Sequence, residues 1–171
     1  ALYQYGGVYM DTDVEVLKSF NPLLEAQCIL GMEEKEYVAT SFMAFEKGHP
    51  LVKEFLNLYE QLSFLDKKGQ IIAGTNVAKL TKMLKEKGFV QENHYQELEN
   101  GIQIYPKEFF SPYDYINCHY NITENSYCVH YFAVSWMSKK EQVKKEIKKR
   151  IVKILGPEKM NEIREKLWKK N

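Results

Sequence analysis

The stretch Gly6-Gly7-Val8-Tyr9-Met10-Asp11-Thr12-Asp13-Val14 decides how the chain is read. Two glycines stop the short helix expected over Ala1 to Tyr5, because glycine accepts the left-handed cap conformation. The apolar residues Val8 to Met10 then read as a strand, which runs out into two carboxylates one residue apart. Side chains alternate along an extended chain, so Asp11 and Asp13 point the same way. Two such carboxylates repel each other unless a cation lies between them, and hard oxygen donors suit Mg²⁺ or Mn²⁺. An ion held there can also grip a diphosphate, so the pair reads as a metal bridge to a nucleotide. The competing reading is a polar turn after a strand, where Asp is common in any case.

Working outward, the 171 residues are enough for one domain with a real core. Hydrophobic residues at 44% and charged ones at 27% match a soluble globular composition. Twelve tyrosines suit a site that stacks on sugar or base rings, and equally a tyrosine-rich core. No apolar run approaches the ~20 residues of a membrane-spanning helix, and residues 1–10 lack the pattern of a signal peptide. The chain opens inside a motif, so it is expected to be a fragment or a protein lacking its front half. Cys28, Cys118 and Cys128 are odd in number and do not have zinc-site spacing; reduced thiols in a cytoplasmic protein are expected. Asn121-Ile122-Thr123 fits an N-glycosylation acceptor, which matters only in a secretory compartment.

The net charge of +1 conceals a division. Residues 138–171 hold 13 Lys or Arg against 5 Asp or Glu, a net of +8, which leaves 11 against 18, a net of −7, for residues 1–137. The basic tail is therefore expected to be a separate unit. It reads as two helices broken at Gly156-Pro157. The first is expected to bury Val143, Ile147, Ile151 and Ile154 or Leu155, and the second to gather Met160, Ile163, Leu167 and Trp168 on one side. Such a helix can lie on an anionic membrane surface or pack on the domain with a solvated lysine face.

Between these ends the pattern alternates strands and helices. Cys28 to Met32 and Ser41 to Phe45 read as strands, joined by a polar loop over Glu33 to Thr40. Gly48-His49-Pro50 opens a helix whose stripe includes Leu51, Val52, Phe55, Leu56, Tyr59 and Leu62, with His49 as a helix-start residue. Gly74-Thr75-Asn76 leads into a second helix with Val77, Leu80, Met83 and Leu84 inward, ended by Gly88. Ile102 to Tyr105 is a strand closed by Pro106. An aromatic loop follows over Phe109 to Tyr113, and Tyr127 to Phe132 is the final apolar strand.

Gly-Gly-Val-Tyr-Met-Asp-Thr-Asp-Val-Glu-Val-Leu resembles the signature of family 32 of the glycosyltransferases, the group that includes capsular-polysaccharide enzymes. Glu46-Lys47-Gly48-His49-Pro50, Tyr105-Pro106 and His130 followed by Ser135-Trp136 resemble later parts of the same pattern in the same order, so the similarity runs from residue 1 to about 137. It implies a Rossmann-like α/β domain of the GT-A type, here its C-terminal portion at 1–137, followed by the basic helical tail at 138–171. It further implies a retaining transfer of a hexose from a nucleotide sugar to a saccharide acceptor in polysaccharide or glycan synthesis. Asp11, Asp13 and His130 would hold Mn²⁺ or Mg²⁺; Gly7, Tyr9, Thr75, Asn76, Ser135 and Trp136 would meet substrate. The segment Val38 to Phe42 departs from the family in having no Asn. No catalytic nucleophile is singled out. In GT-A proteins the base and ribose sit mainly on the half before the motif, so this chain alone would be an incomplete donor site.

Each assignment has a plainer counterpart. His130 would otherwise be a hydrogen-bonded core histidine, Thr75 and Asn76 a helix cap, and Trp136 a lid on the core. Two other functions compete. A haloacid-dehalogenase-like phosphatase also places Asp-x-Asp after an apolar strand, but wants Thr or Val where Glu15 stands. A non-catalytic sugar- or membrane-binding remnant would dock its basic tail on a membrane or a partner. The expected location is cytoplasmic, peripheral at the inner membrane face, without nucleic acid as a partner.

Overall fold

The computed structural model describes residues 1–34, 36–60, 62–63, 75–114, 117–133, 139–156, 159–160 and 162. In chain order these form α1 (Leu2–Tyr5), β1 (Gly7–Met10), β2 (Val14–Val16), β3 (Cys28–Glu34), β4 (Tyr37–Val38), β5 (Phe42–Phe45), α2 (Pro50–Glu60) and α3 (Asn76–Glu86). Then come β6 (Gln96–Leu98), β7 (Ile102–Tyr105), α4 (Lys107–Phe110), β8 (Tyr113–Asp114), β9 (His119–Tyr120), β10 (Cys128–His130) and α5 (Lys139–Leu155). The expected α/β class is what forms.

The main sheet runs β1-β5-β3-β7-β6, with β4 hairpinned onto β3. Only the β3–β7 pair is parallel; the others are antiparallel. β3 sits at the centre with both faces covered, and its sequence Cys-Ile-Leu-Gly-Met is accordingly a continuous apolar run rather than an alternation. One face packs Cys28, Leu30 and Met32 with Ile102 and Ile104 of β7 against Leu51 and Val52 of α2 and Leu80 and Leu84 of α3. The other face is aromatic: Ile29, Phe42 and Ala44 meet Phe110 of α4 and Cys128 of β10. Phe42 and Phe110 stack with centroids 4.1 Å apart. Gly31 makes room for that ring, since a Cβ there would lie 2.6 Å from Phe110 Cδ2.

His49 is the helix-start residue expected. It is buried, its Nε2–H donates to the Asn100 carbonyl at 3.0 Å, and Nδ1 accepts the Leu51 N–H at 3.2 Å. Both ring nitrogens are spent on holding α2 to the turn before β7. Gly6 has φ +70, and a Cβ would approach the Lys47 nitrogen to 2.8 Å, so a side chain is excluded by both backbone and space.

Several expectations change. The loop over Glu33 to Thr40 contains β4, and β6, α4 and the β8–β9 hairpin appear where no regular element was anticipated. These pieces have two to four residues each, too short to show a period. The last strand is Cys128–His130 rather than Tyr127 to Phe132, because Phe132 takes φ +50 and turns the chain. On α2 only Leu51 and Val52 are buried, and Leu56, Tyr59 and Leu62 are exposed. The largest correction concerns α5. Val143, Ile147, Ile151 and Ile154 are exposed at 57%, 53%, 41% and 81%, and it is Val152 that is buried. The second tail helix, apart from helical Lys159, Met160 and Glu162, lies outside the described residues.

Candidate metal centre

β1 lies at the sheet edge, paired with β5, and its end is fastened by the Asp11 N–H donating to the Ser41 carbonyl at 2.9 Å. The Val14 N–H returns to the Asp11 carbonyl at 3.1 Å, closing a tight turn over Asp11 to Val14. That turn directs the chain into β2, which pairs antiparallel with β10 so that Val14 stands opposite His130. The Tyr131 N–H then donates to the Asp13 carbonyl at 3.0 Å. A strand from residue 130 is thus locked backbone to backbone against the motif near residue 13.

The consequence is a convergence of side chains. His130 Nε2 lies 3.3 Å from Asp13 Oδ1 and 4.0 Å from Asp11 Oδ2. One donor atom from each of Asp11, Asp13 and His130 falls within 4.8 Å of the other two. Donors ~2.1 Å from a common ion stand ~3 Å apart when adjacent and ~4.2 Å apart when opposite, and both His130–aspartate distances fall in that range. Two carboxylates and an imidazole suit Mn²⁺ or Mg²⁺ in charge and donor type. His130 is buried while Asp11 and Asp13 are only partly so, which leaves an open side for a ligand.

The other oxygens of the two aspartates are held as well. Asp13 Oδ2 accepts the Ala133 N–H at 2.7 Å, and Asp11 Oδ1 accepts the Tyr9 hydroxyl at 2.7 Å. Donation to Asp11, with some burial and the nearby negative charge, pushes the Tyr9 phenol up to about 12. Phe132 lies against the His130 ring with centroids 4.0 Å apart. The Tyr131 hydroxyl bonds Glu15, and Val129 pairs with Glu15 in the β2–β10 ladder, so residues on both sides of His130 are anchored to the strand after the motif.

Of the expected substrate residues, Tyr9 adjoins the acidic pair. Gly7 begins β1 with φ +103, and no atom lies within 4 Å of where a Cβ would stand, leaving open space beside it. Tyr9 also lines an apolar cavity of about 280 Å³ with Leu2, Met43, Phe45, Leu51 and Phe55. Thr75 caps α3, its Oγ1 accepting the Ala78 N–H at 3.2 Å, and Asn76 Oδ1 accepts the Tyr59 hydroxyl. The Thr75 bond is an N-cap, whereas the Asn76 bond ties the start of α3 to the side chain of Tyr59 on α2. Ser135 and Trp136 lie outside the described residues. Sequence reasoning did not find Ala133, whose role is a backbone N–H, nor the Glu15–Tyr131 bond, which needs the β2–β10 register.

Comparison with known proteins places this geometry in context. Residues 1–30 match the family model described as a glycosyltransferase sugar-binding region containing a DXD motif. The chain is 34% identical over 115 residues to an uncharacterized protein of Arabidopsis thaliana, a match covering 66% of this chain and 16% of that protein. It is 30% identical over 116 residues to lactosylceramide 4-alpha-galactosyltransferase of Mus musculus, covering 68% of this chain and 30% of the relative. A third match, 30% over 63 residues, is to inositol phosphoceramide mannosyltransferase 3 of Schizosaccharomyces pombe, covering 37% of this chain and 18% of that enzyme. No solved structure gives a significant match. Residues 1–30 thus resemble a glycosyltransferase sugar-binding region, and the mixed sheet is consistent with a partial GT-A-like domain. Two of these relatives are named as glycosyltransferases, and the chain spans less than a third of the length of each of the three.

Proposed function

We propose that this chain is the metal-binding portion of a retaining, metal-dependent hexosyltransferase that uses a nucleotide sugar, of the family 32 kind. The observation that carries the reading is the meeting of Asp11, Asp13 and His130 within one ion's reach, brought about by β2–β10 pairing. A divalent ion there supplies Lewis-acid stabilisation of the departing nucleoside diphosphate. Asp11 and Asp13 bring the negative charge that draws the ion in, and His130 fixes its place against the fold. Tyr9 and the Ala133 N–H keep the two carboxylates turned toward His130.

The acceptor in this reading is a saccharide. Two relatives are named for hexose transfer to lactosylceramide and inositol phosphoceramide, which favours a glycan carried on a lipid. The test is titration calorimetry with Mn²⁺, then with uridine or guanosine diphosphate in its presence. Mn²⁺-dependent binding of one diphosphate, abolished in Asp13→Ala, is the expected result. A folded chain that binds neither metal nor nucleotide would favour the non-catalytic remnant. Mg²⁺-dependent turnover of a generic phosphate ester would favour the phosphatase.

A further inference from the structure

α5 carries eight Lys or Arg against two Glu along Lys139–Leu155. Its inward side is set by buried Val152, which shares a cleft with Lys149, Gly156, Tyr113, His119 and Tyr120. At ~100° per residue, Val143, Ile154, Ile147 and Ile151 fall roughly 180° to 260° round from Val152. Four exposed aliphatic side chains therefore form one stripe on the side of α5 turned away from the protein. Lys139, Arg150 and Lys153, with Glu146 among them, border the stripe on one side and Lys144 and Lys148 on the other, while Lys140 falls within its arc in the first turn of the helix.

We infer that this outer face of α5 docks on an anionic lipid surface, with Val143, Ile147, Ile151 and Ile154 entering the hydrocarbon boundary. Charge complementarity selects the occupant. A helix lying in the plane of a bilayer needs its apolar residues deepest, with cations at both margins, where lysine stems extend along the apolar surface and ammonium groups reach the phosphates. Nucleic acid would leave the aliphatic stripe facing a phosphate backbone. The two Glu leave α5 a net charge of +6, and Glu146 pairs at 3.4 Å with Lys149, which is not one of the cations bordering the stripe. No helix among the described residues is long and apolar enough to cross a membrane, so the contact is to the surface. The placement also relates α5 to the metal centre. Tyr113, in the cleft beneath α5, lies 5.6 Å from the Phe132 ring, which lies against His130. Lipid docking would thus occur on an element linked to the site through Tyr113 and Phe132.

The test is co-flotation of the chain with phosphatidylcholine vesicles prepared with and without phosphatidylglycerol, with Mn²⁺ binding measured alongside. Binding should require phosphatidylglycerol, weaken as salt rises, and fall at least about tenfold in I147E/I151E. That variant should keep the wild-type thermal midpoint and Mn²⁺ affinity, which separates failure of the docking from failure of the metal reading. R150E/K153E should lower binding without touching the stripe. Equal binding to both vesicle types, or unchanged binding in I147E/I151E, would overturn the inference. So would a stripe covered by this protein itself, seen as a lowered midpoint in I147E/I151E or as a dimer that the variant disperses without any vesicle binding.

Discussion

Asp13 holds two positions at once: Oδ1 faces His130, and Oδ2 receives the Ala133 N–H. The two roles can be separated. Asp13→Asn retains an acceptor for Ala133 but removes the charge, so Mn²⁺ affinity should fall at least about 100-fold, since losses of outer partners alone run roughly 10–100-fold. Its thermal midpoint should stay near wild type by calorimetry. Tyr9→Phe frees one oxygen of Asp11 while leaving every proposed ligand in place. It should weaken Mn²⁺ by about tenfold, read by the same titration, as expected of a residue that orients a ligand. At this scale the acidic pair was legible because strand periodicity is local. His130 came into view through a resemblance, not spacing, because 117 residues separate it from Asp13. The Tyr9 bond was not legible, since it depends on the turn that follows β1.

At the scale of elements, the strong signals were glycine punctuation and long apolar runs, which placed α1, β1, β3, β5, α2, α3 and β7 within a residue or two. The short pieces were hidden because their hydrogen bonds come from distant partners: β6 exists through β7, and β9 through β8. His49 offers a clean control. Its two ring bonds are buried and structural, so His49→Ala should destabilise the fold by about 2–3 kcal/mol by leaving the Asn100 carbonyl and Leu51 N–H unsatisfied. Mn²⁺ affinity should not change. Gly31→Ala drives a methyl toward Phe110 and should cost about 1–3 kcal/mol in urea unfolding, because both rings of the Phe42–Phe110 stack must move. The cysteines report packing from another side. Burial pushes the Cys128 thiol up to about 12 and Cys28 higher still, so both stay protonated in the folded state above 9.0, where an exposed thiol ionises. That mismatch subtracts stability as pH rises from 9.0 toward 12. In the native protein Cys118 should react first with a disulfide reagent, and Cys28 and Cys128 only on unfolding.

For the whole molecule, charge divides the sequence into an acidic stretch, 1–137, and a basic one, 138–171, but does not say what the basic stretch covers. Periodicity identifies an apolar stripe without saying which neighbour meets it, and on α5 the stripe turned outward while Val152 turned in. The same limit applies to α2, where Leu56 and Tyr59 remain exposed beside a buried Leu51. Long-range pairing is what makes the site: β10 supplies His130, the turn leading into β2 supplies both aspartates, and neither segment signals the other in sequence. The most direct measurement is the electron paramagnetic resonance signal of Mn²⁺ titrated with the chain. Wild type should quench the sharp signal of free Mn²⁺ at one equivalent, and Asp13→Asn and His130→Ala should restore it while staying folded by circular dichroism. Quenching that persists undiminished in both folded variants, or none in wild type, would contradict an ion shared by Asp11, Asp13 and His130.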